Sequence, residues 1–337
     1  MSEAVPRLSV IIPVFNGEAT IGGCLLALYA SEFRDFEVIV ADDKSTDGSA
    51  LITRAFPCRL IRCPANVGPA AARNLAASQA SGTYLFFLDA DILIEPDSLG
   101  QIVDALDSRP EVDALFGSFH SDSVPANFFS RYKNLVHHYT HQNSREEAAT
   151  FCGGFGAIRR GVFFETGGFD PQYRFLEDEE MGIRLHRAGN RIWLLKRLRF
   201  FHCKRYTFFG LIRSDLFQRA VPWTRLILRT GAIRNDLNTR ISNVLSVPIA
   251  YLLLAGVPAL AFAHAAFAWF WLLVAFVALN RGFLACARRE FGGRFAMRAA
   301  LMCWMIYLSS GLGVMLGMLG HLSDQLRGAA AEAEPAP

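Results

Sequence analysis

Along the first part of the chain, short apolar runs alternate with stretches in which apolar residues recur at helical spacing. Leu8–Val14 reads as a fully buried strand, broken by Pro13 and by the turn residues Asn16 and Gly17. Helical spacing follows over Thr20–Tyr29, then a β-branched run at Phe36–Ala41, a short helix over Leu51–Phe56 and a brief strand at Leu60–Arg62. An alanine-rich helix is predicted over Ala70–Ala80, and the strand Tyr84–Leu88 runs straight into Asp89-Ala90-Asp91. Strands that are apolar throughout, alternating with helices, predict a mostly parallel sheet covered on both faces. Such sheets bind ligands beyond the carboxyl ends of their strands. Acidic residues sit at those ends: Asp42-Asp43 after one strand, Asp89 and Asp91 after another. One carboxylate there could simply cap a turn; two pairs at equivalent places predict a site.

The middle of the chain, Ala114 to Arg205, is less regular. It holds Cys152-Gly153-Gly154, Arg159-Arg160, Gly167-Gly168-Phe169-Asp170 and the acidic cluster Glu177-Asp178-Glu179-Glu180. That cluster is expected to open a helix running through Arg187 and closed by Gly189, with the acidic residues favouring the helix dipole. Further on, Phe208, Ile212, Leu216, Ala220, Trp223 and Ile227 recur at helical spacing opposite Arg213, Arg219, Arg225 and Arg229. This basic amphipathic pattern predicts an interfacial segment over residues 206–240, broken near Pro222.

From Val244 to Leu279, and again from Ala299 to Ser323, the chain has no Asp, Glu, Lys or Arg. Both stretches exceed the roughly 18–20 residues that mark a membrane-crossing helix. Three spans are expected within residues 241–323, at about 244–262, 265–284 and 299–322, and a disordered tail over 324–337; Pro248 and Pro258 leave a re-entrant hairpin open for the first two. Basic residues gather between Lys196 and Arg240 and at Arg288, Arg289, Arg294 and Arg298. The tendency of positive charge to stay inside then places the domain of residues 1–205 and both basic segments on the cytoplasmic side of the cell membrane. The turn near His264 and the tail with Asp324 fall outside. The net charge of +3 gives no sign of nucleic-acid binding. Seven scattered cysteines lack metal-site spacing and read as reduced thiols. Met1–Arg7 is polar and Leu8–Phe15 is too short for a signal peptide.

Taken together, several ordered pieces resemble family 2 of the inverting glycosyltransferases. They are Ser9-Val10-Ile11-Ile12-Pro13-Val14-Phe15-Asn16, Val40 through Gly48 with Asp42-Asp43, Gly68 through Asn74 with Arg73, Leu88-Asp89-Ala90-Asp91, Gly167 through Asp170, and Glu177-Asp178 followed by Arg184-Leu185. The resemblance covers roughly the first 200 residues and implies a GT-A nucleotide-sugar-binding fold. It implies that Asp42 meets the nucleotide base, that Pro13, Phe15 and Glu18 line the same pocket, and that Asp43 and Arg73 lie near the nucleotide. Asp178 matches the catalytic base of the family. A nucleoside diphosphate must leave the anomeric carbon carrying negative charge, and Mg²⁺ or Mn²⁺ held by carboxylate oxygens offsets it. Asp91 is the expected metal ligand, with Asp89 reaching the ribose or the metal's water shell. Arg159, Arg160, Glu177 and His202 are candidates for contacts to the diphosphate, the acceptor or the metal.

The expected reaction is transfer of one sugar from a UDP- or GDP-linked donor to a lipid or membrane-delivered acceptor, a hydroxyl or a polyprenyl phosphate. The closest run to the Gln-x-x-Arg-Trp motif of processive synthases is Gln218-Arg219-Ala220-Val221-Pro222-Trp223, which is one residue longer and lacks Arg before Trp. That departure speaks against a processive polymerase. Two other readings stay open: nucleotidyl transfer on a similar fold, which would need a Gly- and Lys-rich loop where Asn16-Gly17-Glu18 stands, and a degenerate membrane scaffold, which would predict loss of the acidic set.

Overall fold

The computed structural model describes residues 5–231 and 240–333. Met1–Ala4, residues 232–239 of the expected interfacial segment and residues 334–337 of the expected tail lie outside the described residues. The chain divides into two compact units, Met1–Arg205 and Tyr206–Pro337.

The first unit begins as the hydrophobic pattern predicts. Strands β1 (Leu8–Val14), β2 (Phe36–Asp42), β3 (Arg59–Arg62) and β4 (Tyr84–Leu88) pair in parallel, joined by helices α1 (Ile21–Tyr29), α2 (Ser49–Thr53) and α3 (Pro69–Ala77). β1 is buried on both faces, which is why it is apolar at every position but Ser9. Its Val10, Ile12 and Val14 join one core with Ile21, Leu25 and Leu28 of α1. After β4 come β5 (Ile92–Ile94), α4 (Ser98–Ser108), β6 (Ala114–Phe119), α5 (Phe128–Gln142), β7 (Glu147–Ala148), β8 (Phe155–Arg159), α6 (Arg160–Glu165), α7 (Glu177–Arg187) and β9 (Ile192–His202). The sheet runs β3-β2-β1-β4-β8-β6-β9-β5, with β7 also on β9.

The irregular middle therefore supplies four of the sheet's nine strands, and the sheet is mixed rather than mostly parallel. β8 is antiparallel to both β4 and β6, and β5 and β7 are antiparallel to β9. β9 escapes hydrophobic pattern reading because exposed Arg197 and Arg199 interrupt it, flanking buried Leu198 and preceding buried Phe200. α7 spans the expected residues and ends at Gly189, whose φ of +85° suits a residue without Cβ.

The second unit is helical. α8 (Phe208–Arg213) leads into a π-helical turn (Ser214–Ala220) and then α9 (Val221–Thr230). The expected break at Pro222 is replaced by this wider turn just ahead of it. Pro222 sits in the first turn of α9, where its ring and missing N–H are tolerated, and the helical path continues. α10 (Ile241–Ala255), a 3₁₀ turn (Val257–Ala261), α11 (Ala263–Phe291) and α12 (Gly293–Ala333) follow. Among the described residues, two helices, α11 and α12, are long and apolar enough to cross a membrane. The expected first span is a shorter helix, because Gly256 and Pro258 end it early. The expected disordered tail is helical from Asp324 to Ala333, a stretch rich in Ala with no proline before Pro335.

α9 and the preceding turn pack along α12 over a stripe of glycines. A Cβ on Gly313 would stand 2.4 Å from Ala220 Cβ, and one on Gly317 would stand 2.6 Å from Thr224 Cβ. Beyond the stripe, Asp324 accepts from Arg225 at 2.6 Å and Arg229 at 2.9 Å. These pairs overturn the expected placement of the arginines inside and Asp324 outside. Partners in direct contact cannot lie on opposite sides of a hydrocarbon core about 30 Å thick. Gly313→Ala should overpack this contact and cost about 1–3 kcal/mol. Gly293→Ala, whose Cβ meets nothing within 4 Å, should leave stability unchanged. Thermal unfolding in detergent checks the pair.

Candidate active site

The carboxyl ends of β1, β2 and β4, the start of β8 and the end of β9 form one edge of the sheet. The non-glycine residues with positive φ among the described residues are Asn16 (49°), Lys44 (63°) and Leu176 (63°), in the loops after β1 and β2 and at the entry to α7. Backbone held in this sparsely allowed region by its surroundings is a usual companion of functional sites.

At the centre lies Arg73, on α3 and only 4% exposed. Its guanidinium donates to Asp89 Oδ1 at 2.7 Å and to Glu177 Oε1 at 2.6 Å, and stands 5.4 Å from the Phe169 ring centroid. The neighbouring Asn74 holds Phe169 by both backbone groups, donating to its carbonyl at 2.6 Å and accepting its N–H at 3.0 Å. Asp178, next to Glu177, accepts from Gly153 N at 3.0 Å and from Glu179 N at 3.0 Å. Burial pushes the Asp178 carboxyl above its ordinary range; the charge of Arg73 and the two amides oppose the shift without cancelling it. Burial also raises Glu177, against the pull of Arg73. Gly153 and Gly154, to which the sequence reading gave no role, make this packing possible. A Cβ on Gly154 would stand 2.6 Å from Asp89 Oδ2. Their signal was a glycine pair opening a strand.

Asp91 sits beside His202, with Nε2 3.4 Å from Oδ2, because β5 and β9 pair Ile92 with His202. The Asp91 carbonyl accepts from Cys203 N at 2.7 Å. Burial alone would raise Asp91, but His202, by hydrogen bond and charge, and Lys204 hold it below the ordinary carboxylate range. No group of three His, Cys, Asp or Glu side chains among the described residues forms a closed metal cage. A carboxylate with an adjacent imidazole still suits a divalent cation that takes its remaining ligands from phosphate and water. Asp91 and His202 carry donor atoms that suit that role; Asp89 gives one carboxylate oxygen, Oδ1, to Arg73. Burial pushes the Cys152 thiol up to about 12 and the Cys203 thiol to about 11, so neither is a ready nucleophile.

The remaining expected residues separate. Pro13 and exposed Phe15 and Glu18 lie at the end of β1, where Glu18 accepts from Gly48 N at 2.9 Å. Asp42 is fully buried, accepting from Ser45 N at 2.8 Å and paired with Arg62 Nε at 3.2 Å. Asp43 accepts from Val67 N at 2.7 Å and Gly68 N at 2.9 Å, so its carboxylate braces the loop before α3. Arg159 and Arg160 are corrected outright. Arg159 pairs with Tyr84 at the start of β4, about 13 Å along the strand from the acidic end. Its guanidinium caps carbonyls of Leu106 and Val112, and Arg160 donates to Ala80 O at 3.1 Å. Neither reaches the site.

Asp43→Ala should therefore cost about 1–3 kcal/mol of stability by orphaning two amides. Asp91→Asn, which orphans no backbone amide and gives up only the pair with His202, should cost less than Asp43→Ala. Denaturant unfolding of the two variants distinguishes a brace from a ligand.

The sequence profile described as glycosyl transferase family 2 matches residues 9–167. A Haemophilus influenzae protein described as an uncharacterized glycosyltransferase is 27% identical over 181 residues, 53% of this chain. The chain spans only 61% of that relative's length. A Mycobacterium bovis PGL/p-HBAD biosynthesis glycosyltransferase is 28% identical over 187 residues, 54% of this chain and 70% of its own. Among solved structures, the mannosyltransferase PcManGT from Pyrobaculum calidifontis is similar in fold, with a TM-score of 0.58 and 19% identity over 95% of this chain and 88% of its own. Residues 9–167 thus match the glycosyl transferase family 2 profile, and the mixed sheet built around them has the fold of GT-A glycosyltransferases.

Proposed function

We propose that the protein is a membrane-anchored, inverting, metal-dependent glycosyltransferase that moves one sugar from a UDP- or GDP-linked donor to a lipid or membrane-delivered acceptor. The observation that carries this reading is the juxtaposition, on one sheet edge, of Asp91 beside His202 and of Asp178 beside Glu177. The similar fold of PcManGT, solved with GDP-Man and Mn²⁺, supports the choice of donor class and cation.

Asp91 and His202 would hold Mg²⁺ or Mn²⁺ against the donor diphosphate. When bound, the cation offsets the negative charge that gathers on the leaving nucleoside diphosphate. Exposed Phe15 and the backbone after β1 and β2 offer a surface for the nucleoside. Inversion requires one in-line attack, with a base on the face opposite the leaving group. Asp178 takes the acceptor proton at its carboxylate, which burial in a carboxylate-rich pocket keeps basic. A phosphate acceptor arrives ionised, and there Asp178 would orient rather than deprotonate.

The membrane reading rests on α11 and α12, which expose Phe267, Phe270, Trp271, Met315, Met318 and Leu319. Large apolar side chains exposed on helices of this length favour a lipid environment. Arg288, Arg289, Arg294 and Arg298 at their shared turn favour the cytoplasmic side for that turn.

Detergent-solubilised protein incubated with a panel of nucleotide sugars and Mn²⁺ should release one nucleoside diphosphate, and excess chelator or Asp91→Asn should abolish the release. Full turnover in chelator would sink the metal assignment. Asp178→Asn should keep donor binding but lose about 10²–10⁴-fold in transfer to a hydroxyl acceptor. Because burial raises the Asp178 pKa and only its carboxylate form accepts a proton, wild-type transfer should fall as pH drops through a value above the ordinary carboxylate range. That acid limb should vanish in Asp178→Asn. A loss of less than about fivefold in this variant would point to a phosphate acceptor or another base.

A further inference from the structure

We propose that Phe119, at the end of β6, is a positioning residue for the His202 imidazole: its ring fixes the angle at which that imidazole meets a cation beside Asp91. This inference deepens the glycosyl-transfer reading above and rests on it, since it concerns one ligand of the proposed cation.

A histidine ring is loosely fixed by its own torsions, because the last one is broad and roughly two-fold, so neighbours must hold it. In metal sites the usual holder is a hydrogen bond from the second ring nitrogen. His202 meets Asp91 through Nε2 at 3.4 Å, and among the described residues its imidazole has no second hydrogen-bond partner. The ring it does meet is Phe119, edge to face, with centroids 5.8 Å apart and planes at 78°.

Phe119 is in turn held on several sides. The β6–β9 ladder sets it opposite Phe200, two residues before His202 and on the same face of β9. These two phenylalanine rings lie 4.5 Å apart, Phe200 lies 4.3 Å from Phe155, and Phe155 meets Phe86 at 5.2 Å. His202 thus ends a column of aromatic rings that starts inside the core. His137 of α5 stacks on Phe119 at 4.6 Å, with planes 18° apart, and His141 meets it edge on at 5.6 Å. The backbone is fixed as well. Asn134, His138 and Gln142 share one face of α5 at four-residue spacing. Asn134 donates to Asp122 O at 2.9 Å, His138 Nδ1 to Phe119 O at 2.8 Å, and Gln142 to Ser118 Oγ at 3.0 Å. Phe119 itself is half-buried at the margin of the core, where burial alone would accept a leucine. What a leucine does not supply is an aromatic partner for an imidazole.

Phe119→Leu keeps an apolar side chain and removes the ring. In the complex with UDP or GDP it should raise the Kd for Mn²⁺, read from the electron paramagnetic resonance of the protein-bound ion, by about tenfold. The nucleotide Kd measured in excess chelator should stay within about twofold, as for a site the change does not touch. Because the loss runs through His202, Phe119→Leu/His202→Gln should bind Mn²⁺ no more weakly than His202→Gln alone. A rise of less than about fivefold in Phe119→Leu, or losses that add in the double variant, overturns the proposal. So does an equal loss of nucleotide binding in chelator, which would make Phe119 a general support of the sheet edge. Should Phe119→Leu fail to fold, His137→Ala decides in its place, since it removes the ring stacked on Phe119. It should raise the Kd for Mn²⁺ at least about threefold, and a smaller rise overturns the proposal. His202→Gln that binds Mn²⁺ as tightly as wild type would bring down the cation assignment and this inference together. Binding lost in His202→Gln but kept in Phe119→Leu overturns this inference only.

Discussion

A guanidinium buried among side chains must be neutralised where it lies, and the architecture of the candidate site follows from that need at Arg73. Asp89 ends one strand of the sheet and Glu177 opens a helix more than eighty residues later in the chain, and both converge on the same charge. Removing one partner of a buried pair leaves an uncompensated charge and typically costs about 3–5 kcal/mol. The loops between β4 and α7 are thereby held to one arrangement. Gly154 must lack a side chain so that Asp89 can lie against it, and Leu176 must accept a left-handed backbone so that α7 starts at Glu177. Asp91, two residues beyond Asp89, is left facing His202 with its carboxylate kept ionised. The two aspartates of the Asp-x-Asp run thus have different partners, Asp89 meeting Arg73 and Asp91 meeting His202.

The part of the sheet that could be read in the sequence is the part built from uninterrupted apolar strands. Leu8–Val14 and Tyr84–Leu88 are buried on both faces, so burial alone dictates their composition. The rest was hidden because its strands satisfy different demands. β9 alternates buried leucine and phenylalanine with exposed arginine, and β8 begins at a glycine pair that serves the site. The acidic residues were visible because carboxylates at strand ends are chemically conspicuous; which of them face a ligand was not. Asp43 braces backbone amides and Asp91 does not, although both follow apolar strands. Arg159 and Arg160 could not be placed without knowing that β8 runs antiparallel to β4, which carries them to the opposite edge. His202, by contrast, joins the site through that same kind of long-range pairing, with β5.

In the second unit, hydropathy located the helices but not their ends or partners. Gly256 and Pro258 cut one apolar stretch short, and the glycine stripe of α12 gives α9 a surface to pack on at backbone distance. Helix contacts of this small-residue kind are well suited to lipid, where apolar burial offers no drive for association. The amphipathic pattern of the arginine-bearing segment reflects this packing as well as any interface. Arg225 and Arg229 are drawn to Asp324 once the glycines bring the helices together.

The proposed function would place a divalent cation at the sheet edge, held by Asp91 and His202 together with the donor diphosphate. Pulsed electron paramagnetic resonance of Mn²⁺ bound with UDP or GDP reads that assignment directly, because a coordinated imidazole nitrogen modulates the manganese echo. The account predicts a nitrogen coupling in the wild-type complex that disappears in His202→Gln, and loss of the bound Mn²⁺ signal in Asp91→Asn. Nucleotide-bound Mn²⁺ that shows no nitrogen coupling, and that persists in Asp91→Asn, would contradict it.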